Sequence, residues 1–133
     1  MSTGTRQKPS ILIAEDDQFL SALAAEHFIK EGYEVATAQG GEEAIMSLEK
    51  NIPDIMLLDI IMPGMGGFEV LKKVRADDRY KNMSIIVFSN LGQQSEIEEA
   101  KKLGADDFLV KARFTLKEVM GKVGALIAKK RGE

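Results

Sequence analysis

The chain has 133 residues, of which 44% are hydrophobic and 29% charged, and its formal net charge at pH 7 is -3. These values are typical of one soluble globular domain, and the negative charge gives no general attraction to nucleic acid. The sequence contains no cysteine, which excludes disulfides and thiolate metal sites and fits a reducing, cytoplasmic location.

The ends of the chain differ in composition from its middle. No apolar run approaches the roughly 18 residues that a membrane-spanning helix needs, so we expect no membrane insertion. Residues 1–8 are polar and are interpreted as a flexible N-terminal arm, and residues 129–133 as a basic C-terminal tail. One domain is therefore expected over residues 9–128.

Five short apolar runs alternate with five segments of helical periodicity. Strands are expected at residues 10–14, 35–38, 55–58, 84–88 and 108–110. The second strand is the least apolar and is expected near an edge. Ser95 with Glu98, and Thr115 with Glu118, have the spacing of capping boxes and predict the starts of the fourth and fifth helices.

This alternation predicts βαβ units with right-handed crossovers. The expected fold is an open (βα)5 sandwich, a five-stranded parallel sheet with helices on both faces. A closed barrel of eight such units would need about twice this length.

Polar residues follow four of the five strands, at the edge where the carboxyl ends of parallel strands meet. They are Glu15, Asp16 and Asp17 after the first strand, Asp59 after the third, Ser89 and Asn90 after the fourth, and Lys111 after the fifth. Gathered carboxylates without histidine or cysteine favour Mg²⁺. Opposite them, a lysine and a hydroxyl would hold phosphoryl oxygens, with Asp59 as the nucleophile. Taken singly, Asp59 is also a common turn residue and Asp17 a common helix cap.

At these residues the sequence closely resembles the receiver domain of two-component response regulators, including the single-domain chemotaxis type. The resemblance covers about residues 9–128. It is carried by Ile-Leu-Ile-Ala-Glu-Asp-Asp at 11–17, Leu-Leu-Asp-Ile-Ile-Met-Pro-Gly-Met-Gly-Gly at 57–67, Ser89, and Gly-Ala-Asp-Asp-Phe-Leu-Val-Lys at 104–111. The family order of strands, 2-1-3-4-5, is implied by the resemblance and is a known order for flavodoxin-like sheets.

The resemblance also implies a role for each site residue. Asp59 would accept a phosphoryl group from a sensor histidine kinase or phosphotransfer protein, without turnover of a separate substrate. For Mg²⁺, Asp16 would be a direct ligand, Glu15 would act mainly through water, and the backbone carbonyl of Ile61 would be a further contact. The remaining roles are an ion-pairing lysine at Lys111, a hydroxyl that moves toward the phosphoryl group at Ser89, and an aromatic switch at Phe108.

In the family, such a switch remodels the face made by the fourth helix, fifth strand and fifth helix for a downstream protein. The chain would act as a monomer or as a dimer formed on phosphorylation.

Three positions depart from the family pattern. Ala112 stands where the family usually has proline after the lysine, so the Lys111–Ala112 bond is either a costly cis peptide or a trans peptide that holds Lys111 differently. Ile61 and Leu91 occupy positions that line the path of the hydrolytic water, and both are apolar. We therefore expect a long-lived aspartyl phosphate.

Two other functions compete with this interpretation. A haloacid-dehalogenase-like phosphatase would need a second aspartate two residues after Asp59, and that position is Ile61. A degenerate receiver would bind its partners without phosphorylation, and Ala112 is the feature that favours it.

Overall fold

The computed structural model describes residues 8–132, in which five strands alternate with five helices. The strands are β1 (Ser10–Ala14), β2 (Glu34–Ala38), β3 (Ile55–Leu58), β4 (Ser84–Ser89) and β5 (Asp107–Val110). The helices are α1 (Gln18–Lys30), α2 (Gly41–Lys50), α3 (Gly67–Arg75), α4 (Gln94–Lys102) and α5 (Leu116–Lys130). Two 3₁₀ turns span Asp78–Tyr80 and Lys111–Arg113. The predicted arm lies outside the described residues except for Lys8.

The strands form one parallel sheet in the order β2-β1-β3-β4-β5, which confirms the predicted fold class. β2 lies at an edge, as its weaker apolar pattern predicts. Every residue of β3 is buried, since helices cover both faces of the sheet at its centre. Within residues 8–132 no helix combines the length and apolar character needed to span a bilayer.

Alternate side chains of each strand enter two separate cores. Met56 and Leu58 of β3 pack with residues of α2, α3 and α4, whereas Ile55 and Leu57 pack with residues of α1 and α5. At about 25 cal/mol per Å² of apolar surface removed from water, these two cores supply the main favourable contribution to folding. They also fix the sheet edge from which the functional side chains project.

Strands β2, β4 and β5 each extend one residue beyond their predicted limits, and two helix boundaries differ more from the prediction. The capping box predicted at Ser95 is wrong: α4 begins at Gln94, and the backbone N–H of Gln93 donates to Glu96 Oε1 at 3.0 Å. Glu98 instead accepts from the Gln94 side chain. Because a glutamine precedes this helix, the usual serine and threonine signals point to a start two residues too late. α5 continues to Lys130, so the predicted tail begins inside this helix.

Arg75, the last residue of α3, ties that helix to the 3₁₀ turn that follows it and to the connection between α4 and β5. Its guanidinium donates to the carbonyl oxygens of Gly104 and Tyr80, both at 2.9 Å, and pairs with Asp106 Oδ2 at 3.3 Å. The same carboxylate oxygen accepts from the backbone N–H of Ile85 at 2.7 Å. One half-buried side chain thus donates to three acceptors on two segments.

An Arg75→Met variant should lose about 2 to 3 kcal/mol of unfolding free energy, because two carbonyls and a carboxylate each lose the hydrogen bond that the guanidinium donates. Urea denaturation followed by circular dichroism measures this loss. Arg79→Met is the control, since Arg79 pairs with Asp77 in solvent and should change little. Equal effects of the two substitutions would show that Arg75 does not brace the fold.

Candidate functional site

Two acids lie side by side at the carboxyl edge of the sheet, where β1 meets β3. The backbone N–H of Glu15 donates to Ala38 O at 2.9 Å, and that of Asp59 donates to Ala14 O at 3.0 Å. Both acids therefore extend the hydrogen-bonded ladder by one residue beyond their strands. The chain leaves β1 for β2 on one side while β3 lies on the other, and this switch point is where sheets of this kind bind ligands. Both side chains are buried.

Lys111 brings a positive charge to these acids from the end of β5. Its Nζ lies 2.6 Å from Glu15 Oε1 and 2.9 Å from Asp59 Oδ2. To reach them the side chain crosses β4, where Nζ lies 5.7 Å from the ring centroid of Phe88. Residues 8–132 contain no cis peptide bond, so the bond from Lys111 to Ala112 is trans. The lysine reaches both carboxylates without the proline that usually follows it in the family.

The burial of these charges shifts their proton affinities. Burial raises the pKa of Glu15, while hydrogen bonds from Lys111 and from the backbone of Asp17 oppose the shift and the Asp59 carboxylate adds to it. For Lys111, burial acts to lower the pKa, but the hydrogen bonds to both carboxylates outweigh it and the net shift is upward. Lys111 is thus cationic at neutral pH. The carboxylates around it outnumber this single positive charge, which favours the binding of another cation.

Three carboxylates could hold such a cation. One oxygen from each of Glu15, Asp16 and Asp59 lies within 4.8 Å of the others. Asp16 is exposed, and its carboxylate has no hydrogen bond or ion pair with the residues described. A set of hard oxygen donors, one of them still unpaired, fits Mg²⁺ completed by water. The predicted roles, Asp16 as a direct ligand and Glu15 acting mainly through water, stay predictions.

The residues on either side of the acids have local roles. Asp17 caps α1, because its Oδ1 accepts the backbone N–H of Leu20 at 3.0 Å. The backbone N–H of Ile61 donates to Asp59 Oδ1 at 3.3 Å, which holds the chain after Asp59 close to the carboxylate. The contact predicted for the Ile61 carbonyl stays a prediction.

Ser89 lies at the end of β4 and Phe108 on the edge strand β5, and the Ser89 hydroxyl makes no hydrogen bond with Glu15, Asp59 or Lys111 in residues 8–132. Ser89 is fully buried at the end of β4, and its Oγ accepts the backbone N–H of Leu91 at 3.4 Å. Phe108 is buried in the core shared with α2, α3 and α4. The structure thus records an inward aromatic ring, and the predicted switch remains a proposal.

Phe88 is the residue that the sequence analysis missed. Its ring lies beneath the Lys111 ammonium, and a cation over an aromatic face gains about 0.5 to 2 kcal/mol. The only signal in the sequence is its place one residue before Ser89, which alternation along β4 assigns to the face opposite Ser89. His27, the one histidine of the sequence, is exposed on α1 and far along the chain from these residues.

Fold and site together define a class of protein, the doubly wound α/β domains with carboxylates and a lysine at the switch point of the sheet. The response regulator receiver domain model matches residues 11–123, and the chain belongs to this family. Receiver domains are the signalling domains of response regulators in two-component phosphorelays.

Curated relatives and solved structures agree with this assignment. Chemotaxis protein CheY of Thermotoga maritima is 41% identical over 102 residues, which cover 76% of this chain and 83% of that protein. The phosphate regulon transcriptional regulatory protein PhoB of Rhizobium meliloti is 34% identical over 125 residues, 94% of this chain and 55% of that protein. The chain therefore spans little more than half the length of PhoB.

The solved CheX-CheY-BeF3-Mg+2 complex from Borrelia burgdorferi contains a chain of the same fold. It superposes with a TM-score of 0.81 at 30% identity, covering 89% of this chain and 88% of that chain.

Proposed function

We propose that Asp59 is the phosphoacceptor of a two-component phosphorelay and that it takes its phosphoryl group, with Mg²⁺, from a sensor histidine kinase or phosphotransfer protein. The observation that carries this proposal is the salt-bridged triad, in which Lys111 holds the Asp59 carboxylate at 2.9 Å beside Glu15. The modification is stoichiometric, and no separate substrate is turned over. A cytoplasmic location belongs to the same proposal.

The reaction is a transfer between two nucleophiles. A carboxylate oxygen of Asp59 forms a bond to phosphorus as the bond from phosphorus to the donor imidazole breaks, and the electrons of that bond leave with the imidazole, which takes up a proton. Lys111 pairs with the transferred phosphoryl oxygens, and its raised pKa keeps it cationic throughout. Ser89 donates a hydrogen bond from its hydroxyl to another of these oxygens once it has moved toward them.

Asp16 and Asp59 would hold Mg²⁺ directly, with Glu15 acting through water and the Ile61 carbonyl as a further contact. When bound, the ion supplies positive charge that offsets the repulsion between the carboxylates and the incoming phosphoryl group. Support for this proposal comes from the oxygen-only donor set and from the exposed, unpaired Asp16.

The signal leaves the domain through a change of conformation. A dianion at Asp59 draws Ser89 toward it, Phe108 follows into the vacated space, and the face made by α4, β5 and α5 is remodelled for a downstream protein. Because the phosphoryl group is charged and Ser89 and Phe108 are buried, we expect two discrete packing arrangements of these side chains rather than a continuous deformation. The active form is a monomer or a dimer formed on phosphorylation.

Acetyl phosphate tests the phosphoacceptor directly. In Mg²⁺ the protein should gain the mass of one phosphoryl group, whereas Asp59→Asn, and the unmutated protein in EDTA, should gain none. Asp78→Asn, an exposed aspartate far from the site, is the matched control and should react normally.

The alternative outcomes of this experiment separate the competing functions. Phosphorylation that persists in Asp59→Asn would identify another acceptor. No mass gain in the unmutated protein and no structural response to beryllofluoride would favour a receiver that binds its partners without phosphorylation.

A further inference from the structure

The segment between Asp59 and α3, here the 60–66 loop, is closed on itself. The backbone N–H of Gly67 donates to the carbonyl of Ile60 at 2.8 Å, which joins the two ends. Inside the loop Ile60 and Met62 point into the core, whereas Ile61 is 58% exposed. Among the exposed residues of the loop, Ile61 is the one that follows Asp59 most closely in the chain.

The beginning of α2 holds the outer part of this loop. The backbone N–H of Gly41 donates to Met65 O at 3.1 Å. A Cβ on Gly41 would overlap that same carbonyl oxygen and would lie only 2.8 Å from Met65 Cβ and from Val70 Cγ2. Such approaches are closer than real Cβ atoms make, so the contact between α2 and the loop requires glycine at this position.

The neighbouring glycine carries no such requirement. A Cβ on Gly40 would meet its nearest atom, Pro63 O, at an ordinary 3.6 Å, and the extended φ of -166° suits any residue. The Gly-Gly pair that marks the start of α2 in the sequence thus contains one residue with room for a side chain and one without.

The far end of the loop is also closely packed. A Cβ on Gly67 would lie 2.7 Å from Ile60 Cα and would overlap the carbonyl oxygen of Asp59. The loop is thus pressed against the backbone of the phosphoacceptor itself. We expect a shift of Met65 to be transmitted along the loop toward Ile61, whose N–H donates to the Asp59 carboxylate.

We propose that Gly41 is a positioning residue for the cation and phosphoryl site. Through the Met65 carbonyl, it holds the 60–66 loop in the one conformation that keeps Ile61 against Asp59. This inference rests on the proposed function, because it assigns α2 a part in building the site where Mg²⁺ binds. The beginning of α2 would then support the cation site, in addition to the packing of α2 against the core.

Calorimetric titration with Mg²⁺ alone tests the proposal, with Gly41→Ala compared against Gly40→Ala. Displaced supporting groups typically cost 10-fold or more in metal affinity, so we expect about tenfold weaker binding for Gly41→Ala and less than about twofold change for Gly40→Ala. A purely structural role would lower the unfolding temperature without changing the affinity of the folded protein. Unchanged Mg²⁺ affinity in a folded Gly41→Ala protein would therefore overturn the proposal.

The unmutated protein gives a second test that does not depend on the folding of a variant. Coupling between two sites is reciprocal, so Mg²⁺ at saturation should slow hydrogen exchange of the Gly41 amide severalfold. Unchanged exchange at Gly41, while the amides of residues 60–62 respond, would overturn the proposal. If the unmutated protein neither binds Mg²⁺ nor is phosphorylated, the proposed function itself fails, and that result is distinct from a difference limited to Gly41→Ala.

Discussion

A Lys111→Met variant should unfold in metal-free buffer at pH 7 with about 3 kcal/mol less free energy than the unmutated protein, since removing one partner of a buried ion pair leaves an uncompensated charge. Lys111 pairs with both Glu15 and Asp59, so its removal leaves two buried carboxylates without their cation. Methionine keeps most of the length and the apolar stem of the side chain, so the loss mainly reports the missing charge. Urea denaturation at several pH values measures it.

The sign of the pH dependence follows from the buried carboxylates. Burial and Asp59 already raise the pKa of Glu15, and removing Lys111 deletes the hydrogen bond that opposes this rise. A group whose folded pKa lies above its unfolded value contributes stability at low pH and loses it as pH rises through the folded value. The deficit of the variant should therefore shrink as pH falls below 7.

Added Mg²⁺ should also reduce the deficit, because a bound cation replaces part of the missing charge. Lys122→Met, at an exposed lysine of α5, is the control and should be nearly neutral. If Lys111→Met were equally stable at every pH, the lysine would not be compensating the acids.

The positions of the strands, and the edge position of β2, could be predicted because short apolar runs are strong local signals. Ile55–Leu58 is bounded by Pro53 on one side and an acid on the other, and its predicted limits match β3. The buried face of a helix is harder to predict where the helix carries apolar residues on more than one face. On α1 the spacing of Leu20, Leu23 and Phe28 predicts one buried face, yet Leu23 is 36% exposed. Periodicity cannot choose a face when more than one is apolar.

The site could be predicted as a set of residues but not as a set of contacts. Parallel strands bring Asp59 and Glu15 to one edge, and this follows from topology alone. The length and direction of the Lys111 side chain, which crosses β4 over Phe88, depend on packing that no local pattern encodes. The same limit hid the role of Gly41, whose N–H bonds to a loop that lies more than 20 residues away in sequence.

The aspartyl phosphate should be long-lived, and an Ile61→Gln variant should lose it much faster. Ile61 is exposed at the rim, and neither it nor the half-buried Leu91 carries a group that can orient a water for attack on phosphorus. Positioned polar groups that assist proton transfer typically contribute about 10²-fold or more, and a side chain that only orients water should give on the order of tenfold. Decay after removal of acetyl phosphate by desalting, followed by mass spectrometry, gives both half-lives.

Ile52→Gln is the matched control, since Ile52 is an isoleucine of similar exposure at the opposite edge of the sheet. Ile52→Gln should leave the half-life of the aspartyl phosphate unchanged. A faster loss in Ile61→Gln alone would then be due to a water held beside Asp59, and not to the added polarity of glutamine. Loss of the phosphate within seconds in the unmutated protein would show that another group orients the water. Asn90, exposed directly after Ser89, would then be the residue to replace, because it follows β4 at this edge and its amide can hold a water.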